Sequence, residues 1–581
     1  MKSSKKSAGN IKKFTTPPAP GKSEKKVRNN TTSTLFDGME RHFMQKSNLY
    51  LILIVTTAAL LSFLCFDVKI STANDDALYI EAGARYAKNF FAKESFYLAN
   101  APLYPTLLGI IIKIFGVNLL ILKSFSILFF CSGLAILFLG LRNRIPYLIL
   151  IPSLLLTAIN FPFLMYASLT YSECLYLLMI GITFYINYKC FDKIEETSDS
   201  IKGQLFPAIL LGFTGFLLMI TRNIAAIAII PVLLYLLYRR KFIASGVALV
   251  MSIFMYFFYR FIVKIIWQVD QSQYEGQKLI FQKDAYNPAL GMETPWGYVI
   301  RLVENAQIYI SQRFMYVLGF GQEISQNSIG ITVISVAIIL WALYLMIRNH
   351  QNTLLYSTLF FCCLLGASFI ALQTSWGQTR FIMIYLPLIL MSLFYIVYYY
   401  GTKLVFLQYL YPVILFIFFI SSFKLTFSKI GERFPVFLEN LKGDPTYGYT
   451  PDWQNYIKMS KWCAENMPDK TQQIAVRKAP MSFIFSGGKE FYPIYGTPAE
   501  DADSLLTPLR QANVNYFMPA ELRANPDMYI ENQIIGTIHR YMYYIMVKYP
   551  NAFEFVHQEG DLEKTQLYKI NWNYIDSLKS N

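Results

Sequence analysis

Asp75 and Asp76 stand side by side in a stretch poor in carboxylates, since residues 48–422 hold only sixteen Asp and Glu. A helix N-terminus favours negative charge, so capping alone is one reading of the pair. The other is a carboxylate held at a membrane surface as a general base or as a ligand to a divalent metal. Three further ionisable residues sit at the edges of apolar runs. Glu173 lies in Tyr171-Ser172-Glu173, Arg222 in Thr221-Arg222-Asn223, and Arg380 in Gln378-Thr379-Arg380-Phe381, with Pro387 beyond. Charge at such positions is costly and often functional, although snorkelling to headgroups is the bland account. The arginine fork matches phosphate oxygens two at a time. Carboxylates and arginines on one side of a membrane suit a lipid-phosphate substrate. His42, His350, His539 and His557 lie outside this set, which argues against a His-ligated zinc centre. In Asn100-Ala101-Pro102-Leu103-Tyr104-Pro105, two prolines flank an apolar pair and fix a rigid entry to the apolar stretch 103–116.

The composition says what must position these residues. The 581-residue chain is 54% apolar and 15% charged, with 47 Phe and 42 Tyr. Soluble domains carry about 25% charged residues, so a soluble enzyme, a disordered protein and a coiled coil are excluded. A polytopic α-helical membrane protein remains. Apolar runs predict about eleven spans, at 48–66, 119–141, 146–162, 172–190, 205–221, 223–238, 243–266, 328–347, 353–372, 381–400 and 404–422. Between the first two, the stretch Asp76–Phe91 and residues 103–116 read as helices lying in the interface. Residues 267–327, with Trp267, Trp296 and several Tyr, read as a second long loop with aromatic anchors.

The net charge of +15 would suit nucleic acid or anionic lipid if it were gathered on one surface. It is not so gathered. Residues 1–47 carry about +8, residues 48–422 about +8 and residues 423–581 about −1. The Lys-, Ser- and Pro-rich tail 1–47 predicts disorder, and it lacks the aromatics that base stacking requires. A basic tail ahead of the first span predicts a cytoplasmic N-terminus. Arg142, Arg144, Arg239, Arg240, Lys241, Arg348 and Lys403 fall in short loops on that same side, as the positive-inside rule expects. An odd span count then places loops 67–118 and 267–327 and the C-terminal region outside. Lys69, Arg85, Lys88, Arg301 and Arg313 also lie there and weaken the signal without reversing it.

From residue 423 the composition becomes that of a soluble domain. A helix is predicted at 452–466, strands at 473–477, 491–495 and 515–519, a helix at 531–549, and strands at 553–558 and 565–571. Alternation of this kind predicts a small α/β domain. Cys463 is its lone cysteine, so no disulfide forms within it.

The order of these features resembles the GT-C superfamily of polyprenyl-phosphate-sugar-dependent glycosyltransferases, and within it the protein O-mannosyltransferases and lipid A aminoarabinose transferases. The resemblance rests on Asp75-Asp76-Ala77-Leu78-Tyr79, then Glu81-Ala82-Gly83-Ala84-Arg85-Tyr86-Ala87, then Ala101-Pro102-Leu103-Tyr104-Pro105, Ser172-Glu173, Thr221-Arg222 and Arg380…Pro387. Those families have Asp-Glu at the acidic pair, where this chain has Asp-Asp. They often have a basic residue or His before the Pro-Leu element, where this chain has Asn100-Ala101. The resemblance implies a bacterial inner-membrane enzyme that takes a sugar from a polyprenyl-phosphate donor to a glycan, lipid or protein acceptor, with no nucleic acid involved. It implies catalysis by Asp75 with Asp76, and substrate contacts from Tyr79, Arg85, Tyr104, Glu173, Arg222, Arg313 and Arg380. It leaves a divalent metal open. The competing classes are a lipid-linked-sugar flippase and a non-catalytic envelope assembly protein. Against the flippase, the chain shows no internal repeat and no paired broken spans.

Overall fold

The computed structural model describes residues 35–581, apart from 73–74, 94–100, 198–199, 270–278, 285–289, 324–325, 468, 470, 527, 531–532 and 580–581. The tail up to residue 34, together with Asn100, lies outside the described residues. Among these, eight helices are long and apolar enough to cross a membrane, and a ninth is counted if a bent pair forms one span. The pair is Tyr147–Ala158 and Phe161–Ala167, bent by 57°. Pro162 and the Asn160 cap account for the break: Asn160 Oδ1 accepts from the Phe163 amide and its Nδ2 donates to the Val317 carbonyl.

The expected spans at 223–238 and 381–400 do not form as single long helices. Residues Asn223–Ile227 make a 3-10 turn before the short helix Ile229–Tyr238. The turn Arg380–Met383 precedes Leu386–Lys403, where Pro387 sits at a helix start. Both breaks fall beside an arginine of the candidate site. Spans Leu119–Leu141 and Ser172–Glu196 pack backbone against backbone through small residues. A Cβ on Gly133 would lie 2.9 Å from the Leu178 nitrogen.

Two expectations about boundaries are corrected. Residues 35–45, where the sequence predicts disorder, form the helix Leu35–Gln45. Phe36 is buried there, stacked 5.6 Å from Tyr398 and edge-on to Tyr411. Glu40 accepts from the Tyr147 and Leu148 amides at 2.7 and 2.9 Å and so satisfies the start of the helix Tyr147–Ala158. The last span also does not stop at 422. It continues as one helix, Val405–Leu441, 37 residues or about 56 Å long. Apolarity ends at the membrane surface, but helix propensity does not.

That helix delivers the chain to the C-terminal domain, a five-stranded sheet ordered β2-β1-β3-β5-β4. The strands are β1 Gln473–Val476, β2 Tyr492–Pro493, β3 Val514–Met518, β4 Phe553–Glu559 and β5 Thr565–Ile570. β1 pairs in parallel with β2 and β3, while β5 runs antiparallel to β3 and β4. Ile474 and Val476 face one core with Trp453 and Tyr456, and Ala475 faces the other with Leu505 and Ile538, as strand alternation requires. Helices Ala479–Phe485, Ala502–Gln511 and Trp572–Lys579 complete the domain and were not expected from the sequence.

On the same face of the bundle lie two surface helices, Asp75–Lys88 and Leu103–Phe115. They touch at Gly83 and Gly109: a Cβ on Gly83 would stand 2.8 Å from Leu108 Cβ, and one on Gly109 would stand 2.8 Å from Tyr86 Cβ.

Candidate active site

Four distant parts of the chain converge on one set of charges. Asp75 is the first residue of its surface helix. Glu173 is the second residue of the span Ser172–Glu196. Arg222 closes the span Ile201–Thr221 in extended backbone. Arg380 opens its four-residue turn. Arg380 Nη2 donates to Asp75 Oδ2 at 2.8 Å, and its Nε stands 3.8 Å from Glu173 Oε1. Arg222 Nη1 reaches that same oxygen at 2.7 Å. The result is a continuous chain of alternating charge, Asp75–Arg380–Glu173–Arg222.

Exposure is greatest at the Asp75 end and least at Glu173. The side chain of Asp75 is 38% exposed, those of Arg380 and Arg222 are 14% and 12%, and that of Glu173 is 1%. Asp75 is therefore the end that an incoming molecule can meet. Aromatic rings line the cations. Tyr171 and Phe381 stand 5.2 and 5.1 Å from the Arg380 guanidinium, and Tyr176 and Phe381 stand 5.9 Å from that of Arg222. The network is incompletely bonded: Arg380 Nε and Glu173 Oε2 are buried without a hydrogen-bond partner. Such groups are rare in folded proteins and mark places where another molecule can complete the bonding.

Tyr79, one turn after Asp75, joins the set through Ser172. Its hydroxyl lies 3.4 Å from Ser172 Oγ, which also accepts from Arg222 Nη1 at 3.2 Å. Tyr104 lies behind Tyr79, edge-on at 5.1 Å and fully buried, so it supports that ring. Arg313 donates to the Glu323 carbonyl, and Thr379 donates to the Glu323 carboxylate at 2.9 Å. Arg313 is thus tied to the residue before Arg380.

Asp76 and Arg85 stand apart from this set. Asp76 is fully buried, and its carboxylate accepts from the Ser71 and Ala77 amides at 2.8 and 2.9 Å. Burial pushes its pKa up to about 6. It shapes the turn that presents Asp75. Arg85 lies on another face of the helix and pairs with Glu81 at 2.7 Å and with Glu490 of the C-terminal domain at 3.1 Å.

The sequence reading missed the groups that hold this turn. Lys123 is fully buried, and its Nζ donates to the Asp67 and Lys69 carbonyls. Tyr449 donates to the Ile70 carbonyl, Lys69 to the Gly448 carbonyl and Lys478 to the Thr72 carbonyl, each at 2.8 Å. Lys123 left a signal, as a lysine inside the otherwise apolar run Leu119–Leu141. Among the described residues, no three His, Cys, Asp or Glu side chains gather to hold a metal ion. Asp75 and Glu173 face arginines, and Asp76 faces backbone amides.

No family model matches the chain, and no curated protein matches it. Among solved structures, it is similar to an oligosaccharyltransferase of Archaeoglobus fulgidus tethered to an acceptor peptide, at 13% identity and TM-score 0.47, over 82% of this chain and 69% of that one. It is also similar to ArnT of Cupriavidus metallidurans, over 90% of this chain and 98% of that one. The likeness is 10% identity in the undecaprenyl-phosphate-bound structure and 11% in the apo structure, with TM-score 0.49 in both.

Proposed function

We propose that this chain is a membrane glycosyltransferase that moves a hexosyl or pentosyl unit from a polyprenyl-phosphate donor to a hydroxyl of an envelope glycan, lipid or protein. The observation that carries the reading is the Arg380 guanidinium, shared between the exposed Asp75 and the buried Glu173. An apolar groove of about 930 Å³ supports it. Ile310, Phe314, Phe369, Ile382, Leu393 and Phe418 are among its lining residues. Ile382 is two residues from Arg380, so a lipid tail in the groove brings its phosphate to the arginines.

The donor phosphate takes the Arg380 fork, and Arg222 adds charge from behind. Asp75 then loses its partner and becomes free to act as the base. Its carboxylate accepts the proton of the acceptor hydroxyl, and the hydroxyl oxygen bonds to the anomeric carbon. The bond from that carbon to the phosphate oxygen breaks, its electron pair leaves on the lipid phosphate, and the configuration inverts. Preorganised arginines stabilise the charge that develops on the leaving group.

Purified protein incubated with labelled polyprenyl-phosphate sugars tests this. Asp75→Asn should lower transfer by about 10²–10⁴-fold without loss of folding. Wild-type transfer by that variant would rule out the base assignment. Translocation of intact donor without loss of its sugar would rule out the transferase.

A further inference from the structure

Beside Arg380 stands a hydroxyl group that the rest of the site leaves unused. The helix Phe161–Ala167 follows the 57° bend at Asn160 and packs on the turn Arg380–Met383. Tyr166 lies on this turned half. It is half-buried, and its ring stands edge-on to that of Tyr171 at 5.4 Å. Tyr171 in turn faces the Arg380 guanidinium at 5.2 Å. Among the charges that act on the Tyr166 hydroxyl, Arg380 is the strongest, followed by Glu173, Glu323 and Asp75. The last three are carboxylates able to accept a hydrogen bond. Among the described residues, none of them accepts one from Tyr166, and its hydroxyl has no other partner in the protein. Nor is that hydroxyl sealed in the interior. A polar group beside a charged site that neither bonds to the protein nor is shut away is free to bond to what enters.

The surroundings say what that is. A phosphate on the Arg380 fork lies near the carboxylates of Asp75, Glu173 and Glu323, which repel it and offer it no hydrogen. Tyr166 supplies a neutral donor in that setting. We infer that the Tyr166 hydroxyl donates a hydrogen bond to the phosphate that Arg380 binds, and so steadies the oxygen that takes the electron pair as the sugar departs. The proton stays on the phenol oxygen, so the bonds formed and broken in the transfer are those given above. A donor aimed at the place where charge develops binds the transition state more strongly than the ground state. The inference rests on the reading of Arg380 as the phosphate-binding residue. The free hydroxyl beside Arg380 stands on the geometry alone.

The test uses the full-length chain in detergent, with farnesyl phosphate and farnesol as binding probes and labelled polyprenyl-phosphate sugars for transfer. Tyr166→Phe removes the hydroxyl and keeps the ring against Tyr171. It should weaken farnesyl phosphate binding and lower kcat, each by about 10–100-fold, one hydrogen bond to a charged group being worth that much. Farnesol binding and the melting temperature should stay as in the wild type. The phosphorus NMR signal of bound farnesyl phosphate should differ between wild type and variant, a change that a merely structural tyrosine does not give. If Tyr166→Phe melts early, 3-fluorotyrosine at position 166 decides, because a more acidic phenol of nearly the same shape should shift that signal. Unchanged affinity for farnesyl phosphate in Tyr166→Phe, an equal loss for farnesol, or an unshifted signal with 3-fluorotyrosine overturns the role. If the protein transfers no sugar from any donor yet binds farnesyl phosphate through Tyr166, the phosphate contact stands and the transferase reading falls. If it transfers sugar with a kcat indifferent to Tyr166→Phe, the transferase stands and the role of Tyr166 falls.

Discussion

Among the described residues, two of the buried arginine–carboxylate networks are built differently. In the C-terminal domain, Arg523 grips Glu563 through two contacts, at 3.1 and 2.8 Å. Glu563 also accepts from the Asp452 amide at 3.0 Å, and Asp452 accepts from the Arg523 amide at 2.9 Å and from Thr450. Asp452 is fully buried and Glu563 nearly so. The other network, Asp75–Arg380–Glu173–Arg222, is held by single contacts, opens to solvent at Asp75 and leaves buried atoms on Arg380 and Glu173 without hydrogen bonds. Burial of charge is common to both. Saturation separates them: a closed network fixes a fold, whereas an open one retains bonding capacity for a substrate.

If that contrast is right, mutation should separate stability from activity. The largest effect is expected in the closed network. Glu563→Gln leaves Arg523 facing a neutral amide in the interior, so the C-terminal domain should lose about 3–5 kcal/mol of stability, read by denaturant or thermal unfolding. Sugar transfer per folded molecule should stay the same. Arg380→Gln should do the reverse, lowering kcat by about 10²–10³-fold with little change in melting. A melting loss in Arg380→Gln as large as that in Glu563→Gln would erase the distinction.

A smaller effect tests the inner pair. Glu173→Gln strands Arg222 and Arg222→Met strands Glu173, so each alone should cost stability. The double variant should recover part of it, with a coupling of about 0.5–3 kcal/mol in a double-mutant cycle. Transfer should stay low in all three, because the cation that faces the phosphate is lost or unsupported. Additive stability losses would mean that the two side chains do not share their charge.

The sequence displayed one side of this contrast and hid the other. Asp75, Glu173, Arg222 and Arg380 were visible because each interrupts or borders an apolar run, where charge is expensive. Their convergence was not visible, since it depends on how four helix ends meet across some 305 residues. Asp75 and Asp76 stood in the sequence as one acidic pair, yet consecutive helical residues point about 100° apart, and of the two only Asp75 meets solvent. Tyr449 carried no signal, because in a soluble domain a tyrosine is unremarkable, and Lys478 was visible only in the pair Arg477-Lys478, not as a group that reaches the turn before Asp75. The membrane helices were legible by length and apolarity, but 223–238 and 381–400, which break after Ile227 and after Met383, read as continuous spans, since hydropathy does not register a kink. The helix Val405–Leu441 ran past its apolar segment for the converse reason.

The smallest effect concerns the seam where the two regions meet. Glu81 is mostly buried between its surface helix and the C-terminal domain, with Arg85 and Glu490 beside it and Tyr495 across the seam. Burial raises its pKa to about 7, against the pull of Arg85. A carboxyl whose folded pKa lies above its unfolded value favours the fold in its protonated form. Its contribution is full below about pH 4.5 and is lost as pH rises through about 7. The helix Ala479–Phe485, which packs on this surface helix, should therefore exchange its amide hydrogens faster at pH 8 than at pH 5, after correction for intrinsic rates. Glu81→Gln should flatten that dependence. Amides around the closed network of Arg523 serve as the internal control and should show no change over the same range. A flat profile in the wild type would mean that water reaches Glu81, and that the seam is looser than the packing between its two helices requires.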